Sequence, residues 1–100
     1  MITLTQLVYL NPGKEATFEA FESHALPLIE RHNGRLLLRI KPGEGSLIAG
    51  SWEQPDEIHL VEFDEEADFH AFMVDGERRK YLHLKEESIR TTIFIQGRME

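Results

Sequence analysis

The chain has 100 residues, 41% hydrophobic and 29% charged, with a formal net charge of −7 and no cysteine. It is sized for one domain with a single core, and disulfides, thiolate catalysis and cysteine-based zinc sites are excluded. Only one tight basic cluster, Arg78-Arg79-Lys80, stands against the acidic balance, so neither nucleic acid nor an anionic membrane is an expected partner.

No apolar run approaches the ~20 residues of a bilayer span, and the segment from Met1 to Thr5 lacks a secretory pattern, so a cytoplasmic location is expected. Thr, Val, Leu and Tyr between Ile2 and Leu10 predict a first strand, stopped by Asn11-Pro12-Gly13. From Lys14 to Asn33, the residues Phe18, Phe21, Ala25, Leu28, Ile29 and His32 recur at helical spacing. They predict one amphipathic helix, bent near Ser23 to Pro27 by the proline and ended at Asn33-Gly34. Arg35 to Ile40 reads as a second strand, broken at Pro42-Gly43-Glu44-Gly45 and resumed over Ser46 to Gly50.

Glu57 to Phe63 returns as a third strand. Asp64 is placed to cap a helix with Glu65, Glu66 and Asp68 in its first turn and Phe69, Phe72 and Met73 on its apolar side. A further helical piece passes through Tyr81 and Leu84, and Arg90 to Gln96 forms the last strand. One domain is expected over residues 1–97, with a short tail at 98–100. This order predicts an α+β fold of the ferredoxin-like βαββαβ type, a four-stranded antiparallel sheet with two helices on one face.

The other face must meet solvent, a ligand or a second sheet. Strand alternation assigns Leu36, Leu38, Ile40, Val61, Phe63, Ile93 and Ile95 to the helices. It leaves Gln6, Leu37, Arg39, Ile58, Leu60, Glu62, Phe94 and Gln96 opposite. That set is too apolar for open solvent and polar enough for an ion pair, which predicts a homodimer of face-to-face sheets around a partly polar cavity, with Arg39 paired to Glu62.

Glu62 is the focus of the site reading, because a carboxylate inside the apolar run Ile58-His59-Leu60-Val61-Glu62-Phe63 must be solvated, paired or protonated. Glu62 and Arg39 are the catalytic candidates, set to orient or deprotonate a polar organic small molecule. Tyr9, Trp52, His59, His70 and Tyr81 are the candidates for contacting it, with His59 on the same strand parity as Val61. The five histidines lack metal-ligand spacing and no Gly-rich phosphate loop occurs, so neither metal nor cofactor is expected. The third strand lacks the basic and aromatic pattern of the RNA-binding module that shares this element order. A non-catalytic binding or regulatory dimer accounts for the same residues if Arg39 and Glu62 only pair across the interface.

The segment from Pro27 to Arg39, with Gly34-Arg35 before a strand ending in arginine, is followed by Gly50-Ser51-Trp52, Pro55 and Val61-Glu62-Phe63. In that order these motifs resemble the uncharacterised bacterial family called domain of unknown function 1330, and Tyr81 and Gly97 match its helix tyrosine and closing glycine. The resemblance spans nearly the whole chain and implies the dimeric α/β-barrel superfamily. By superfamily analogy it also admits a monooxygenase of the antibiotic-biosynthesis or haem-degrading type.

Overall fold

The computed structural model describes residues 1–97, and the tail expected at 98–100 lies outside the described residues. Strand β1 (Ile2–Leu10) leads into helix α1 (Glu15–Ala25) and a 3₁₀ segment (Leu26–His32). Strands β2 (Gly34–Ile40) and β3 (Glu57–Phe63) follow, then three short helices, α2 (Glu66–Met73), α3 (Gly76–Arg79) and α4 (Leu82–Ser88), and finally β4 (Ile89–Gly97). The sheet order is β2-β3-β1-β4, every neighbouring pair is antiparallel, and the helices lie on one face. This is the ferredoxin-like α+β arrangement that the element order predicts.

Pro27 is accommodated differently from the expected bend. The α-helix ends at Ala25, and Pro27 falls in the first turn of the 3₁₀ segment, where its missing N–H is harmless. Asn33, at φ 57, ends that segment in the left-handed conformation, with its N–H on the Ile29 carbonyl. Gly34 then passes so close to the core that a Cβ would sit 2.6 Å from the Phe63 ring and 2.8 Å from Ile29 Cγ2. Only glycine fits this approach.

Two further expectations are corrected. Residues 46–50 form no strand; the β2–β3 connection is a loop, drawn together by Gln54, which accepts from the Leu47 N–H and donates to the Pro42 and Gly43 carbonyls. The N-cap of α2 is Glu65, in a reciprocal capping box with Asp68, while Asp64 instead binds Arg35.

The register decides which side chains meet the helices. Between β2 and β3 the pairs Gly34 with Phe63 and Leu36 with Val61 obey simple alternation, but the register then slips by one residue at Leu37. Leu38 therefore pairs with Leu60 and Arg39 with His59. A bulge of this kind reverses the facing of everything beyond it. Leu38 and Ile40 go to the outer face with Ile58 and Leu60, whereas Arg39 goes beneath the helices. On β4, Gln96, Phe94 and Thr92 pair with Leu4, Gln6 and Val8 on the helix side, which leaves Ile93 and Ile95 outside.

The core has two clusters. Val8, Leu10, Phe18, Phe21 and Ala25 pack at one end of the sheet, with Leu84 and Ile89 against them. Ile2, Leu4, Ile29 and Phe63 pack at the other, under Leu26, Phe69 and Phe72.

A charged cavity between helices and sheet

Between the two clusters the helices do not close fully on the sheet. The gap is a cavity of about 60 Å³, floored by the row His59, Gln6 and Phe94 across β3, β1 and β4. Its apolar wall comes from Phe21, Leu26, Phe69, Phe72 and Met73, and its polar groups are Gln6, Glu22, His59, Arg78 and Lys85.

Glu22 is the least expected of these. It occupies the buried stripe of α1, four residues after Phe18 and three before Ala25, and only 6% of it is exposed. Among the described residues no hydrogen bond reaches its carboxyl. Burial is the main reason that its pKa is pushed up to about 7; attraction to Arg39 opposes the rise, the negative charge of Glu57 adds to it, and Arg78 and Lys85 oppose it. The group therefore exchanges its proton near neutral pH.

Beside it lies a closed network. Glu57, nearly buried on β3, accepts from Arg39 Nε at 2.7 Å and from His59 Nε2 at 2.9 Å. Arg39 also reaches Glu19 of α1 at 2.7 Å and lies 5.9 Å over the Phe18 ring. Burial works against the Glu57 charge, but the bonds from Arg39 and His59 outweigh it and hold this carboxyl below its ordinary range. His59 is only 2% exposed, and burial lowers its pKa against the pull of Glu57. Its ring is consequently neutral at pH 7, with its proton on Nε2 toward the carboxylate.

Arg78 enters from α3, 6% exposed, with its guanidinium 5.7 Å over Phe21 and 5.2 Å over Phe72. One nitrogen donates to the Met73 carbonyl at 3.2 Å, and buried Nε has no partner. Asp75 positions this turn, accepting from the N–H groups of Glu77 and Arg78 and meeting His32 Nε2 at 2.7 Å. Lys85 reaches the cavity from α4; burial, then repulsion from Arg78, lowers its pKa.

The candidates named from sequence are scattered. Arg39 and Glu62 point to opposite faces, so the expected pair does not form: Glu62 accepts from Arg35 Nε at 2.8 Å on the outer face, and Arg39 serves Glu57. Tyr9 is buried on the outer side, donating to the Glu53 carbonyl at 2.9 Å beneath Arg90. With Trp52, Leu7 and Ile58 it lines an outer hollow of about 500 Å³ under the β2–β3 loop. His70 is exposed on α2, 3.6 Å from Glu66, and Tyr81 stacks on His24 at 3.7 Å between α1 and α4. His59 alone of the seven lines the inner cavity. Glu22, Arg78 and Lys85 went unrecognised, although Glu22 is legible in sequence as a carboxylate inside an apolar helical stripe. Among the described residues no group of three or more His, Cys, Asp or Glu is arranged to hold a metal ion, and no helix is long and apolar enough to cross a membrane.

No protein-family model matches the chain, and no curated protein does. Solved structures match throughout its length. A protein of unknown function from Rhodopseudomonas palustris shares 19% identity at a TM-score of 0.81, over 96% of this chain and 79% of that one. A dimeric ferredoxin-like protein of unknown function from Bacteroides fragilis shares 12% at 0.73, over 98% and 95%. A Bacteroides thetaiotaomicron protein provisionally named an antibiotic biosynthesis monooxygenase shares 14% at 0.71, over 99% and 88%. At these identities the likeness establishes the fold.

Two outcomes follow from this geometry. Arg39→Met leaves Glu57 buried beside a neutral histidine and should cost on the order of 2–3 kcal/mol in urea unfolding, whereas Arg35→Met, on a half-exposed pair, should cost about 1 kcal/mol or less. Equal losses would contradict the burial argument. For Glu22, the folded pKa lies above the unfolded value of 4.5. Its contribution is therefore fully present below pH 4.5 and is lost as pH rises through about 7. Relative to Glu22→Gln, the wild type should lose about 3 kcal/mol of unfolding free energy between those limits, and a difference that stays flat across them would exclude the raised pKa.

Proposed function

We propose that the protein binds a small organic molecule in the cavity between helices and sheet, and that Glu22 exchanges a proton with it. The observation that carries this reading is a carboxyl with a pKa near 7, free of side-chain partners, facing a space walled by aromatics. A general acid or base works best when its pKa lies near the operating pH. On the floor Gln6 can donate to a carbonyl and neutral His59, whose Nε2–H is committed to Glu57, can accept from a hydroxyl, while the Glu57–Arg39 pair fixes the histidine from behind. A binding module without chemistry would use the same cavity but would not need the raised pKa. A monooxygenase reading has fold likeness as its sole support, and the cavity's own residues favour proton transfer.

The protein acts as a homodimer in this reading, through its outer sheet face. Leu38, Ile40 and Ile95 are each more than 40% exposed there, beside the partly buried Ile58, Leu60 and Ile93. Ile48 and Trp52 of the β2–β3 loop extend the patch at 94% and 61% exposure. Such a surface is characteristic of a partner interface, and similar structures of this fold are described as dimeric. In sedimentation equilibrium the wild type should show twice the chain mass and Leu60→Lys the single mass; a wild-type monomer would overturn the dimer.

Titration with acetamide, small enough for a cavity of about 60 Å³, followed by protein NMR, tests the cavity. Shifts should concentrate at Leu4, Gln6, His59 and Phe94, and the affinity should change between pH 6 and 8 in the wild type but not in Glu22→Gln. Shifts confined to Leu7, Trp52 and Ile58 would move the site to the outer hollow and end the proton-transfer reading.

A further inference from the structure

Arg78 and Lys85 bring two positive charges to the wall of the cavity, and their balance is incomplete. Among the described residues neither takes part in an ion pair, in contrast to Arg39, which is matched by Glu57 and Glu19. Glu22, the one carboxyl sharing the cavity with them, is half protonated near pH 7 and returns less than one negative charge. The Arg78 Nε–H is buried without an acceptor among the described residues, although buried donors are nearly always satisfied. The same two cations, with Met73 and Ile89, also line a second, more open hollow of about 390 Å³ outside the cavity, next to Leu82 and Glu86. They thus form the partition between solvent and the inner space, made largely of flexible unbranched side chains.

We infer that the ligand of this cavity is an organic carboxylate: it enters between α3 and α4, its carboxylate is held by Arg78 with Lys85 alongside, and its apolar body lies between Phe21, Phe72 and the sheet. This rests on the proposed use of the cavity and adds the charge of the molecule. Guanidinium presents a planar fork that fits a carboxylate, and the flanking Phe21 and Phe72 rings keep that fork in place and dry, where a charge-assisted bond is strongest. A chain of net charge −7 repels anions in general, so a pair of unmatched cations at an opening also serves to admit one selectively.

The test compares acetate with the neutral acetamide by NMR at pH 6, in the wild type, Arg78→Met and Lys85→Met, and follows the Arg78 Nε–H signal directly. Acetate should bind the wild type about tenfold more tightly than the amide and shift the Nε–H signal downfield. Arg78→Met should reduce that preference to about twofold or less while leaving amide binding in place, and Lys85→Met should reduce it partially. Equal affinity of the two compounds for the wild type overturns the carboxylate inference yet leaves the cavity reading standing, and this comparison needs no variant to fold. Binding of neither compound overturns both.

Discussion

The buried carboxylate of Glu57 is the constraint around which the domain is arranged. An ionised group in that position is tolerable only if its charge is answered from within the protein, and Arg39 answers it from the neighbouring strand β2 and His59 from two residues along β3. Because Arg39 continues to Glu19, the same charge ties the edge strand β2 to helix α1. Remove that tie and β2, an edge strand with exposed leucines, keeps its ladder to β3 but loses its charged link to α1. The network also fixes His59, which burial keeps neutral, so the floor of the cavity presents a polar ring of defined orientation.

Next to this satisfied network sits an unsatisfied one. Glu22 and Arg78 are each nine-tenths buried, yet among the described residues one has no hydrogen-bonding partner for its carboxyl and the other has a donor nitrogen without an acceptor. A core built for stability alone would fill such positions with aliphatic side chains. The division is instructive: one set of charges is spent on holding the fold, while the adjacent set is left available for something the chain itself does not supply.

The fold was legible because it depends on coarse signals. Strand-forming runs, the Phe18 to Ile29 spacing and the Asn33-Gly34 stop specify the element order, and that order allows few topologies. The site was less so, for reasons tied to particular residues. Glu62 attracted attention as the acid in a strand, but it lies on the outer face with Arg35 at hand, whereas Glu22 was hidden among the charged residues of a helix, where acids are common. Alternation carried no information on β4, where Thr92-Ile93-Phe94-Ile95-Gln96 is similarly apolar on both sides because an edge strand is half covered on both. On β2 the apolar pattern pointed the wrong way, since one residue, Leu37, is taken out of the ladder. The helical piece through Tyr81 and Leu84 was legible, but α3 and α4 are too short for periodicity to say which of their side chains face the core, and the inward placing of Arg78 and Lys85 was lost with that.

The bulge at Leu37 has an evolutionary reading as well. With two residues between Leu36 and Arg39, what places the arginine inside is that one of them is left out of the ladder, not the identity of either. Loss of one codon there would give an ideal strand with the arginine still inside, whereas gain of one with the bulge kept would carry it to the outer surface and leave Glu57 stranded, although every chemically important side chain would still be encoded. Comparisons of homologous chains that score substitutions and treat a one-residue gap in an edge strand as noise will therefore misjudge which relatives share this site. Strand length at this point is an inherited character in its own right.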